Sequence, residues 1–213
     1  MSPPCCPPSR PVLQLEWEGG EIVSIVINVI SNTSSWIASD GLHRDSSTGN
    51  IINADLQKFE ILNPHLCIGY TGCYEDARKV VDYLKVECPH IERATSDLAA
   101  QYTKALLDEA VRQVSSFDAQ FVVTGTLATH QIASFAIKRE KEIEALLCAP
   151  GEYRFVILNN LCFGSLEKMI LRRSRHGIIT ESAILAGMRD LIRDTARYDN
   201  SVNTHMHYHR VDA

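Results

Sequence analysis

The chain has 213 residues, 45% of them apolar and 22% charged, with a formal net charge of −5. That length and balance suggest one soluble globular domain. The acidic balance argues against a general binder of nucleic acid or anionic membranes, and no apolar stretch is long enough to cross a bilayer.

The seven cysteines are Cys5, Cys6, Cys67, Cys73, Cys88, Cys148 and Cys162. They are odd in number, irregularly spaced and without a CxxC pair, which argues against a disulfide framework or a zinc ribbon. Scattered thiols fit a reducing compartment, so the expected location is the cytoplasm, or also the nucleus in a eukaryotic cell. Asn32-Thr33-Ser34 matches a glycosylation sequon but carries little meaning without a secretory context. The start, MSPPCCPPSRP, lacks the apolar core of a signal peptide. Residues 1–20 read as a Pro-rich tail or propeptide-like segment, and residues 21–213 as the domain.

The first strand block begins at Glu21. Val23, Ile25, Ile27 and Val29 alternate with Ser24, Val26 and Asn28, predicting one continuous strand. A turn at Asn32-Thr33-Ser34-Ser35 leads into a second strand, Trp36-Ile37-Ala38-Ser39-Asp40, completing a hairpin. Residues 41–50 read as a polar loop. Extended chain from Ile51 to Leu62 carries Lys58, and a strand from Leu66 to Thr71 closes at Gly72.

Ala77, Val80, Val81 and Leu84 then recur at helical spacing. Glu75 and Asp76 suit the first turn, and Pro89 stops the helix. Thr95 or Ser96 is expected to cap a second helix with a stripe of Leu98, Tyr102, Ala105, Leu106 and Val114. The second block predicts strands at Phe121–Gly125, Ile132–Ile137, Glu142–Cys148 and Tyr153–Leu158. Ser165 can cap a short helix with Leu166, Met169 and Ile170. Arg172, Arg173 and Arg175 then read as its solvated C-terminal turn. Thr180 caps a longer helix with a stripe of Ile184, Leu185, Met188, Leu191 and Ile192, and Asn203–Val211 reads as a final strand. No solenoid repeat is present. Two antiparallel sheets stacked face to face, flanked by helix pairs, would bury every stripe: an α+β, four-layer αββα sandwich.

This element order resembles the proteasome β-type subunits of the N-terminal-nucleophile hydrolase superfamily. Trp36-Ile37-Ala38-Ser39-Asp40 is similar to the family strand ending in a catalytic-site aspartate. Asp55-Leu56-Gln57-Lys58-Phe59 resembles the segment carrying the active-site lysine. Gly69-Tyr70-Thr71-Gly72-Cys73-Tyr74-Glu75-Asp76-Ala77 resembles the glycine turn into the first helix, and Gly164-Ser165 the turn into the third. Arg193-Asp194 and Asp199-Asn200-Ser201-Val202-Asn203 resemble the end of the fourth helix and the strand after it. The GxxG at Gly69–Gly72 also occurs in nucleic-acid-binding KH loops. The acidic balance and the helix directly after Gly72 argue against that reading.

In such enzymes the first residue of the mature chain attacks a peptide carbonyl, with its own α-amine as base and a buried lysine nearby. A backbone N–H at a glycine turn stabilises the oxyanion. The resemblance implies Ser24 at the nucleophile position, Asp40 and Lys58 as the aspartate–lysine pair, Gly72 at the oxyanion hole and Ser165 as a supporting serine. For a further family aspartate, Asp194 is close, but the best register puts Thr195 there.

Three departures stand out. Ser24 replaces threonine, Val23 precedes it where processed members carry glycine, and the last family strand is shortened or missing. Asp40 and Lys58 also read as a structural ion pair, Gly72 as a turn glycine and Ser165 as a helix cap.

Three functions therefore stand side by side. The chain is expected to be a non-catalytic structural member of a ring assembly for intracellular protein degradation, with other proteasome-type subunits as partners. The alternatives are an N-terminal-serine peptidase using Ser24, or a non-proteolytic binding protein of this fold. No cofactor is expected. His205, His207 and His209 alternate along the last strand, and no metal is expected there because no carboxylate cluster accompanies them in sequence.

Overall fold

A computed structural model describes residues 22–23, 25–45, 48–139, 141–158, 165–174, 176 and 178–213. The Pro-rich start, Ser24, Cys162, Gly164 and Arg175 lie outside the described residues.

Two antiparallel sheets stack between two helix pairs, giving the αββα sandwich that the element order predicts. The first block holds β1 (Ile22–Val23), β2 (Val26–Ile30), β3 (Ser34–Asp40), β4 (His43–Arg44), β5 (Ile51–Asn53), β6 (Phe59–Asn63) and β7 (Leu66–Cys73). Helices α1 (Tyr74–Glu87) and α2 (Ser96–Gln113) come next. The second block holds β8 (Ala119–Thr126), β9 (Ile132–Ile137), β10 (Glu144–Leu147) and β11 (Arg154–Leu158). Helices α3 (Leu166–Arg173) and α4 (Glu181–Thr195) and strand β12 (Met206–Asp212) complete the chain. The larger sheet runs β10-β9-β8-β7-β1-β4-β5, with β6 also paired to β7, and the smaller runs β11-β2-β3-β12. No described helix is long and apolar enough to cross a membrane.

Strand alternation explains the layering. On β2 and the residue before it, Ile25, Ile27 and Val29 enter the core under α3 and α4. Val26 and Ile30 enter the core between the sheets, with Ile37, Phe59, Cys67, Val122 and Leu158. Asn28 shares that inner face and is also buried. Its amide donates to Ser35 Oγ at 2.7 Å, which also accepts from Thr124 Oγ1 at 2.8 Å. The latter bond joins β3 of one sheet to β8 of the other, and a buried polar link in an apolar core registers the two layers.

The stripe of α1, Ala77, Val80, Val81 and Leu84, is buried as its spacing predicts. That of α4 is buried at Ile184, Met188, Leu191 and Ile192. Helix α2 is rotated from expectation. Ala99, Ala100, Thr103, Leu106, Leu107 and Ala110 face the core, while Ala105 is exposed. Its run of small residues lets the backbone lie close to the sheet, so the larger Leu98 and Tyr102 sit at the flank. Thr95 is the N-cap position but makes no side-chain cap bond. The Ser96 hydroxyl instead donates to the carbonyls of Gly125 and Thr126 at 3.1 and 3.2 Å, tying α2 to the end of β8.

The continuous first strand is not formed. Ile22–Val23 pair within the larger sheet, and Val26–Ile30 pair within the smaller. The chain changes sheets between Val23 and Val26. Both halves are apolar and alternate, so periodicity carries no mark of the exchange. The polar loop of residues 41–50 likewise contains β4, which pairs with β1 and β5.

Candidate active site

Asp40 ends β3 and Lys58 directly precedes β6, and both side chains are fully buried. Lys58 Nζ donates to Asp40 Oδ1 at 2.5 Å. The same oxygen accepts from the Ile25 amide at 3.3 Å, while Oδ2 accepts from the amides of Leu42 at 3.0 Å and Asn203 at 3.3 Å. A buried ion pair is tolerated when further hydrogen bonds satisfy its remaining lone pairs, and Asp40 meets that condition. The Lys58 backbone N–H is held by Ser39 Oγ at 3.2 Å, so β3 fixes both ends of the lysine.

Burial pulls the Lys58 pKa below the ordinary lysine value, opposed chiefly by the negative charge and hydrogen bond of Asp40 and further by the charge of Asp199. Asp199 lies just past α4, and its Oδ1 accepts from the Ser201 amide and hydroxyl at 2.9 and 2.5 Å. The site therefore contains a lysine whose neutral form is favoured more than in water, with two carboxylates acting on it.

Gly72 lies at the end of β7, with φ of +97°, and a Cβ there would stand 2.4 Å from the Asp118 carbonyl oxygen. Only glycine fits both the conformation and the space. Gly72 pairs with Val23, and Val23 pairs on its other side with His43. The residues flanking position 24 are thus seated, Val23 against Gly72 and His43, and Ile25 against Asp40.

The other expected residues belong to α3 and α4. Ser165 caps α3, its hydroxyl accepting from the Lys168 amide at 3.4 Å. Arg172 and Arg173 form the last turn of α3, where Arg173 pairs with Asp190 at 2.7 Å. Asp194 is at the surface, paired with Arg197 at 3.1 Å. Thr195 is fully buried, and its hydroxyl has no hydrogen-bond partner among the described residues.

Motif reading did not single out His43, and it quoted Asn203 within a family-like segment without giving it a role. His43 is 5% exposed and its ring lies 4.7 Å from that of Tyr74. Burial lowers its pKa, Glu75 opposes the shift, and Lys58 adds to it. Asn203 Oδ1 accepts from the Gly41 amide at 2.9 Å, and its Nδ2 donates to the Ala54 carbonyl at 2.8 Å. A histidine in a two-residue strand and an asparagine after a helix leave no periodic signal.

The histidine triplet, expected to lack a carboxylate neighbour, does have one. Asp55 Oδ1 is 3.1 Å from His205 Nδ1 and 2.9 Å from His207 Nε2. His209 is outside that cluster.

Fold and site together define an αββα protein with a lysine–aspartate pair buried where β3 ends and β6 begins. Its fold is similar to that of Anbu (ancestral beta-subunit) from Yersinia bercovieri, with a TM-score of 0.70 and 14% identity over 89% of this chain and 82% of that one. At that identity the likeness is one of fold. No family model and no curated protein matches the sequence.

Proposed function

We propose that the chain belongs to the N-terminal-nucleophile hydrolase superfamily, akin to proteasome β subunits, and serves as an uncleaved structural subunit of an assembly for protein degradation. The αββα fold and the order of its motifs support the superfamily. One observation carries the uncleaved reading: β1 stands between β7 and β4, pairing with both. Removing everything before Ser24 would delete the strand joining the β4–β5 hairpin to the larger sheet, leaving the facing edges of β7 and β4 unpaired. Exposed apolar side chains on the helical layers, Val86 of α1 and Leu171 of α3, are surface that association would cover.

A second reading has its own support. The exchange of sheets between Val23 and Val26 spans the bond that self-cleavage would break. Asp40 accepts from the Ile25 amide, Lys58 pairs with Asp40 and Gly72 pairs with Val23, and these contacts beside position 24 support a serine nucleophile.

Intact mass of the untagged protein separates the two, combined with a fluorogenic peptide assay on wild type and Ser24→Ala. The structural reading expects an intact chain and no hydrolysis attributable to Ser24. A chain beginning at Ser24, with hydrolysis abolished by Ser24→Ala, would replace it with the peptidase. Light scattering on the same material should show a multi-subunit species, and a monomer would remove the assembly.

A further inference from the structure

The Asp55–His205–His207 cluster shares no residue with the Lys58–Asp40 pair, although the Asn203 amide donates to Asp40, and it draws on both sheets. Asp55 lies between β5 and β6 of the larger sheet. His205 precedes β12 and His207 lies within it, at the edge of the smaller sheet. The ligand-capable atoms, one from each residue, all lie within 4.8 Å of one another. The two imidazoles stack at 4.9 Å between centroids with 26° between planes.

His207 Nε2 is shielded from solvent and makes no hydrogen bond among the described residues, although Asp55 Oδ1 is 2.9 Å away. The carboxylate is near that nitrogen without accepting from it. Two imidazole nitrogens and a carboxylate oxygen brought this close are electron-rich atoms that a cation between them would reconcile.

The supporting frame is in place. Asn203 Oδ1 accepts from the His205 amide at 3.2 Å and from the Gly41 amide at 2.9 Å. Its Nδ2 donates to Ala54 O, directly before Asp55, at 2.8 Å. One side chain therefore ties together the backbones of both ligand-bearing segments. His207 is held in register opposite Ser39 on β3. Positions fixed in this way need little ordering on binding.

We propose that Asp55 Oδ1, His205 Nδ1 and His207 Nε2 bind one divalent transition-metal ion of the zinc class, cross-linking the two sheets. Two imidazoles and one carboxylate suit zinc, nickel or copper better than magnesium or calcium, which prefer all-oxygen shells. Three protein ligands leave an outward position for water. The ion joins segments that are some 150 residues apart in sequence, so binding closes a long loop and stabilises the folded chain.

The test uses untagged, chelator-treated full-length protein and Zn2+ as the probe. Isothermal titration should give one Zn2+ per chain, with a rise in thermal midpoint that saturates at one equivalent. Asp55→Ala removes a largely exposed carboxylate and should fold normally, with affinity lowered about tenfold or more. His207→Ala should act in the same direction, and His209→Ala should bind as wild type. Millimolar Mg2+ should not displace the Zn2+. Absence of stoichiometric uptake at micromolar Zn2+ would overturn the site. So would unchanged affinity in Asp55→Ala, or loss of binding in His209→Ala. If His207→Ala fails to fold, Asp55→Ala and the His209→Ala control still decide.

Discussion

Lys58 and Asp40 meet 2.5 Å apart with neither side chain exposed to water. Such a pair derives its stability from completeness, because either charge left alone in that volume is penalised heavily. Lys58→Met should therefore lower unfolding stability by about 3–5 kcal/mol, and Asp40→Asn should act in the same direction. Lys58→Met combined with Asp40→Asn should lose clearly less than the two single losses added together. Urea denaturation of the four proteins measures the coupling. Strict additivity would show that the two charges do not depend on each other.

Gly72→Ala should destabilise by about 2 kcal/mol or more, through the positive φ and the close Asp118 carbonyl together. Gly49 offers a control, since its φ is +70° but no described residue lies within 4 Å of a Cβ. Gly49→Ala should lose about 1–2 kcal/mol from conformation alone. Equal losses at the two positions would mean that the Asp118 contact contributes nothing.

Burial holds the His43 pKa below the ordinary histidine value of 6.5 in the folded chain. Between the folded and unfolded values, the unfolded chain carries more protons, so stability rises with pH through that window and falls on acidification. His43→Gln should flatten this part of the stability–pH profile. Proton NMR of the His43 ring should find less than half of it protonated at pH 6.5. An unaltered slope in the variant would place the titration elsewhere.

Cys67 lies between the sheets without exposure, and burial raises its thiol pKa strongly. Thiolate is the reactive form, so iodoacetamide should leave Cys67 unmodified in native protein and label it after unfolding. Peptide mapping before and after denaturant reads this directly. Rapid native labelling of Cys67 would require that the two sheets separate in solution.

Much of the architecture was legible in the chain because amphipathic spacing is a local property. The stripes of α1 and α4, the β2–β3 hairpin and the cap at Thr180 all arise from residues a few positions apart. Asp40, Lys58 and Gly72 could be singled out because each sits in a short motif. The exchange between Val23 and Val26 was hidden because Ile22–Val23 and Val26–Ile30 are both apolar runs, and alternation is the same in whichever sheet a strand joins.

The sequence by itself determined which faces had to be buried, and so the order of strands and helices, since apolar periodicity and capping residues act over a few positions. The tertiary structure alone decided which distant side chains meet. It directed the Ser96 hydroxyl to β8 and turned α2 on its small residues. It brought Asp199 to bear on Lys58 and set Asp55 beside His205 and His207. Those contacts depend on sheet register and stacking, which arise from packing the whole core at once.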